Sequence, residues 1–151
     1  MSYPQQRGGY ERSTPPTPQI DVSDIKFGTA MPELLFADIA QDKARVIAEA
    51  GGGKKNKSTQ LRKFYDELVM WQEKIALEQN SEARQQRYKE HAPFIKMLAA
   101  KVAYARGRDH VDACFEKLFS QVIRQIDSPD TLRHAKLFME AFMGFYKAEE
   151  K

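Results

Sequence analysis

Lys101, Tyr104 and Arg108 stand three and four residues apart, a spacing that gathers side chains on one side of a helix. Cations so placed neutralise phosphates, and an aromatic ring between them offers its face to a nucleobase. Arg106 adds a further charge beside them. A second basic run, Lys54, Lys55, Lys57, Arg62 and Lys63, gives residues 54–65 a net charge of +5. Residues 84–108 carry +6 and residues 109–130 carry −3, so a formal charge of only +3 hides two basic segments and an acidic one. The basic segments point to nucleic-acid backbone. Solvated basic helix faces would have the same composition, and a chain with opposite poles can also self-associate or dock head to tail through complementary potentials.

Catalytic templates fail one after another. His91, His110 and His134 are far apart and show no HxxxH or HxxE spacing. Asp109-His110 inverts the His-Asp order of metal phosphohydrolases, and His110 reads as a residue at a helix start. Gly51-Gly52-Gly53-Lys54-Lys55 fails the phosphate-loop pattern twice, with Ala48 at the first glycine position and Lys55 where Ser or Thr belongs. It reads as a flexible basic link. Cys114 lies on an apolar stripe beside Phe115, which marks a small core residue rather than a nucleophile. Adjacent carboxylates such as Asp66-Glu67 splay apart on a helix surface. No catalytic residue, metal site or cofactor is expected.

The elements that position the basic residues read as helices. Pro32 suits a first helical position, followed by Leu34, Leu35, Ile39, Val46 and Ile47, with Gly51 to Gly53 as the stop. Ser58 or Thr59 can cap the next helix, whose apolar face runs Leu61, Phe64, Leu68, Trp71 and Ile75. A basic helical stretch leads from Glu82 to Pro93, which opens a new helix or kinks the old one, carrying Phe94, Ile95, Leu98, Val102 and Ala105 as far as Gly107. The stretch His110 to Asp127 repeats the pattern with Val111, Phe115, Leu118, Val122 and Ile126. Ser128-Pro129 opens a last helix with Leu132, Phe138, Ala141, Phe142 and Phe145. No alternating strand pattern with paired turn signals occurs. The expected fold is all-α, a compact bundle of about five helices.

Length and composition bound the rest. At 151 residues the chain makes one domain. Four of its seven prolines lie in residues 1–30 among Gln, Gly, Ser and Thr. That segment reads as a flexible tail whose end docks through Ile20, Val22, Ile25 and Phe27, ahead of a helical-bundle domain at 31–151. Pro15-Pro16-Thr17-Pro18 contains a PxxP pattern, the form of a proline-rich recognition peptide. A single cysteine permits no internal disulfide. With no apolar run long enough to span a bilayer and no secretory signal, a cytoplasmic protein without membrane contact is expected.

Four segments then carry a resemblance: Arg62-Lys63-Phe64-Tyr65, Phe94-Ile95-Lys96-Met97-Leu98, Lys101-Val102-Ala103-Tyr104-Ala105-Arg106-Gly107-Arg108, and Phe138-Met139-Glu140-Ala141-Phe142-Met143-Gly144-Phe145-Tyr146-Lys147. In order and spacing they resemble the small subunit of the type III-A CRISPR effector, the Csm complex, from about residue 32 to residue 147. The resemblance implies a non-catalytic helical subunit of an antiviral ribonucleoprotein. Its copies line up beside crRNA-binding backbone subunits as an inner filament against the guide–target RNA duplex. The implied partners are crRNA and target RNA, those backbone subunits, the large polymerase-like subunit, and other copies of the chain. It assigns RNA contact to Arg62, Lys63, Lys101, Tyr104, Arg106 and Arg108, whereas Lys54, Lys55 and Lys57 rest on charge alone. Arg62 and Lys63 point about 100° apart on a helix, so both cannot face one groove. The alternative function is a helical protein–protein adaptor without direct RNA contact.

Overall fold

Apolar residues at three- and four-residue steps become α-helices wherever their faces can be buried together. A computed structural model of the chain describes residues 19–150, in which the helices are α1 (Ala40–Gly51), α2 (Ser58–Ala76), α3 (Ser81–Lys96), α4 (Leu98–Gly107), α5 (Ala113–Arg124) and α6 (Pro129–Glu149). No strand occurs among the described residues. The chain runs from α3 to α4 through Met97, whose φ of −67° and ψ of −15° stay right-handed helical. Met97 N–H donates to Pro93 O at 3.1 Å and Lys101 N–H to Met97 O at 3.2 Å. Counted as one interrupted rod, α3 and α4 leave the expected five. Pro93 itself sits inside α3, exposed, and the interruption comes four residues later.

The long α6 packs against α1 and α2, and α4 packs against α5. Phe115, Phe119, Phe138 and Phe142 are fully buried between them, and Phe64 reaches Phe115 and Phe119 from α2 with ring centroids 6.0 and 5.8 Å apart. The expected core residues Leu61, Leu68, Leu98, Val102, Val111, Leu118, Val122, Ile126 and Leu132 are buried as well. Two helix starts follow their caps. Ser128 Oγ accepts from Thr131 N–H at 3.1 Å in a reciprocal capping box, with Pro129 next in line. Asp112 Oδ1 accepts from Phe115 N–H at 3.0 Å.

Several expectations need correction. The first helix does not begin at Pro32. A π-helical turn, Leu35–Ile39, precedes α1, with Ile39 N–H bonded to Leu34 O at 3.1 Å. That wider turn sets the register so that Leu35, Ala40, Ala44 and Ile47 face the core, while Leu34 is left outside it. His110 does not start a helix, because Asp112 caps α5 and the His110 carbonyl serves another bond. Ser58 is no side-chain cap for α2. Its N–H and Oγ both donate to the Glu150 carboxylate, at 3.0 and 2.8 Å, so the end of the chain caps α2. The Ser58 backbone N–H, with its hydroxyl second, holds Glu150 below the usual carboxylate range.

Residues 19–30 are packed, so folded structure reaches back past residue 31. Ile20, Val22, Ile25 and Phe27 are buried, as the tail-docking expectation required. Gln121 Nε2 donates to Ile25 O at 2.8 Å, Gly28 N–H to His134 Nδ1 at 3.1 Å, and the buried Lys43 pairs with Asp24 at 3.0 Å. Residues 1–18, with the PxxP pattern, lie outside the described residues.

The link 52–57 is not a flexible linker. Gly52, at φ +58°, turns the chain out of α1, and Asn56, also left-handed at φ +59°, plunges inward to 1 % exposure. Its Nδ2 donates to Ile47 O (3.1 Å) and Asp112 Oδ1 (2.9 Å), and its Oδ1 accepts from Asp112 N–H (2.9 Å). Its N–H donates to His110 O at 2.9 Å, and its carbonyl accepts from Tyr146 Oη at 2.5 Å. Burial, with Glu150 and Asp112 adding repulsion, pushes the Tyr146 phenol well above its usual range and keeps it a donor.

Asn56→Ala should therefore cost about 3 kcal/mol, since it orphans buried groups on two helices and puts a non-glycine Cβ without compensation at positive φ. Asn56→Gly should recover the backbone share and none of the hydrogen bonds. Urea unfolding followed by circular dichroism checks both. A second expectation concerns acid. Burial lowers the His134 pKa, with Arg133 the next cause, so the folded state prefers neutral imidazole. The stabilisation is complete above the unfolded histidine value of about 6.5 and is lost as pH falls through the lower folded value. NMR titration should show His134 titrating below that value, with the Gly28 amide signal moving in step.

Candidate nucleic-acid interface

Two ion pairs bring the two basic segments of the sequence together. Lys101 Nζ on α4 lies 2.9 Å from Glu67 Oε2 on α2. Lys55 Nζ, just before α2, lies 3.3 Å from Asp109 Oδ1, just after α4. Moving from 101 to 109 thus corresponds to moving from 67 back to 55, so the two segments run in opposite directions. These long side chains link them, while α4 packs against α5 and α2 against α6. Asn56 clamps the far end by bonding the 109–112 corner. Tyr104 and Arg108 follow Lys101 by one and two turns on the same side of this seam.

The inner side of α4 is Leu98, Val102 and Ala105, all buried. The outer side holds Lys101, Tyr104 and Arg108, all exposed, with Tyr104 at 67 %. This is the division that the helical spacing predicts. Arg108 is not bound to helix-end carbonyls through its side chain. Its guanidinium lies over the Tyr104 ring, 5.8 Å from the centroid, and Nη1 donates to Tyr104 Oη at 3.2 Å. The pair presents a charge and a ring as one flat unit.

The remaining candidates divide. Lys54, Lys57 and Lys63 are exposed and make no ion pair among the described residues. Lys63 precedes Glu67 by one turn, on the seam side of α2. Arg62 faces elsewhere. It pairs with Asp66 at 3.6 Å and lines a groove between α2 and α6 with Tyr65, Glu140 and Lys147. Arg106 also leaves the stripe, because it stands two residues and so about 200° around α4 from Tyr104; its Nε pairs with Glu116 of α5. The structure therefore groups Lys101, Tyr104, Arg108, Lys63 and the 54–57 loop, and sets Arg62 and Arg106 apart.

The site extends beyond the predicted residues. Phe94 and Met97 continue the stride of Lys101, Tyr104 and Arg108 backwards along α3, and are 50 % and 49 % exposed. Phe94 is stacked on the half-buried Trp71 of α2, with centroids 5.8 Å apart and planes 12° apart. Both read as core residues in sequence. The repeated three- and four-residue stride was the available signal. Elsewhere, Lys96 Nζ donates to Ile123 O and Ile126 O at the end of α5, and burial lowers its pKa. It acts as a helix-end cap rather than as surface charge. Cys114 is buried, and burial raises its thiol pKa. No group of three or more His, Cys, Asp and Glu among the described residues is placed to hold a metal.

A family model described as Csm2 Type III-A matches residues 36–151. The chain belongs to the Csm2 family. This is the family of the small subunit of the type III-A CRISPR effector complex, so the chain is a component of that assembly. No curated protein and no solved structure matches it. The Csm2 match begins at Phe36 and covers all six α-helices, the seam and the Asn56 junction, leaving the packed segment 19–35 outside. No helix among the described residues is long and apolar enough to cross a membrane.

Since the Lys101–Glu67 pair is exposed, it contributes only about 0–1 kcal/mol to the fold. Lys101→Gln and Arg108→Gln should each leave the thermal unfolding midpoint within a few degrees of the parent, as differential scanning calorimetry would show.

Proposed function

We propose that the chain is a non-catalytic RNA-binding subunit that lays the seam of α2 and α4 along the RNA backbone of the cytoplasmic effector complex. Lys101 and Arg108 contact phosphates, Tyr104 supports the Arg108 guanidinium, and Lys63, Lys57, Lys55 and Lys54 extend the positive strip around the N-terminus of α2. The observation that carries this reading is the two ion pairs, Lys101–Glu67 and Lys55–Asp109, which bring basic segments that are separate in sequence to neighbouring parts of the surface. Carboxylates occupy some of these cations in the free chain, namely Glu67 on Lys101 and Asp109 on Lys55. Such exposed pairs are weak enough for a phosphate to displace. Family membership supports RNA as the ligand. By the same resemblance the partners are crRNA and target RNA, the crRNA-binding backbone subunits, the large polymerase-like subunit and further copies of the chain in an inner filament, with avidity supplied by the array.

The adaptor reading draws on the same ion pairs, in which protein carboxylates already satisfy the basic side chains. Charge reversal separates the two. Arg108→Glu with Lys63→Gln breaks no carboxylate pair among the described residues, whereas Lys101→Glu would set two acids against each other at Glu67. In the reconstituted complex the double variant should weaken RNA association roughly tenfold or more and shallow the salt slope by about 1 for each phosphate left without its cation. Incorporation into the complex with unchanged RNA affinity and unchanged salt slope would favour the adaptor.

A further inference from the structure

Phe94, Met97, Lys101, Tyr104 and Arg108 form one outer line about 21 Å long, at the helical rise of 1.5 Å per residue. The inner line, one residue on, is Ile95, Leu98, Val102 and Ala105, all buried. The basic strip accounts for the half of the outer line that ends at Arg108. Its other half, Phe94 and Met97, is apolar and half exposed. Soluble chains usually bury such side chains, and half-exposed Phe94 on a half-buried Trp71 is a surface feature with a cost.

The surroundings of those rings say what covers them. Trp71 is flanked by Phe94 on one side and by His91 on another, with a His91 centroid distance of 5.0 Å. Lys74 Nζ stands 5.5 Å from the Trp71 ring centroid. One turn along α2 in the other direction is Glu67, occupied by Lys101. The Phe94–Trp71 pair thus has an ammonium group at Trp71 and the first cation of the strip, Lys101, seven residues on from Phe94. A stacked ring bordered by cations fits a planar nucleobase carried on a phosphate backbone, because every base has a π-face and stacking tolerates any sequence. An apolar partner helix would have to desolvate Lys74, which has no ion pair among the described residues, without compensating it.

We propose that Phe94, backed by Trp71, is a stacking platform for an unpaired nucleobase of the bound RNA, with Lys74 and Lys101 holding the flanking phosphates. The proposal rests on the RNA reading of the strip and adds to it the ligand element that charge alone does not select. Bases inside a duplex are already stacked, so the platform takes a nucleotide that is outside pairing.

Trp71 is the chain's one tryptophan and reports on the platform directly. The full chain is titrated at low salt with a single-stranded oligoribonucleotide and with an abasic oligomer of the same backbone. The base-bearing strand should quench Trp71 fluorescence and bind about tenfold tighter than the abasic strand, the value expected for one stacked base. In Phe94→Ala that ratio should fall towards one, while Phe94→Tyr, which keeps the ring, retains it. Both variants must show the parent's cooperative melting, and Phe94 is exposed enough to allow it. Equal affinity for the two strands overturns the platform and leaves the basic strip standing. Binding of neither strand, by the free chain and by the reconstituted complex alike, overturns both readings. A Phe94→Ala variant that keeps the ratio but no longer enters the reconstituted complex assigns the ring to a protein partner and overturns the platform too.

Discussion

Asn56 is the residue on which the arrangement of the basic face depends. It is a polar side chain at 1 % exposure, and such a side chain is tolerated only if its donors and acceptors are met. Meeting them requires the end of α1, the start of α5 and the C-terminal part of α6 to converge on one loop. That convergence places the 54–57 lysines beside the 109–112 corner and starts α2 in the direction that carries it back along α4. A buried hydrogen-bond set of this kind is all-or-nothing. If one member leaves, the others become unpaired donors and acceptors in the interior.

The apolar core and the charged surface divide the work cleanly. Phe64, Phe115, Phe119 and Phe142 lock α2, α5 and α6 through tilted and offset ring contacts, which resist sliding better than featureless aliphatic packing. The exposed ion pairs on top add little stability, and so their cations stay exchangeable. Under the proposed RNA reading, such a combination of a rigid base and loosely held charges lets carboxylate partners be traded for phosphates. Lys96 shows the contrast, since it is committed to the fold by the carbonyls at the end of α5.

The second anchoring, of residues 19–30, follows another logic. Four apolar side chains supply the burial, while His134, Gln121 and Lys43 satisfy backbone and carboxylate groups brought with them. The segment has little helical structure of its own, so its place depends on side chains more than a hundred residues away in some cases. Such a segment is described by its receptor as much as by its own sequence.

Helix type and most core positions were legible in the amino-acid sequence, because the 3.6-residue period and the caps Ser128 and Gly52 act locally. So was the outward stride of Lys101, Tyr104 and Arg108, and the family likeness that the match over 36–151 bears out. Local pattern also showed that Arg62 and Lys63 diverge. What it did not contain was partnership. Nothing near Asn56 in sequence marks it for burial, since its partner Asp112 lies 56 residues on and Tyr146 lies 90 residues on. Phe94 and Trp71 carry the same apolar type as core residues, and only the tertiary crossing of α2 with α3 leaves one ring half open. Periodicity is a property of adjacent residues, whereas burial, pairing and exposure belong to surfaces that exist only after distant segments have met.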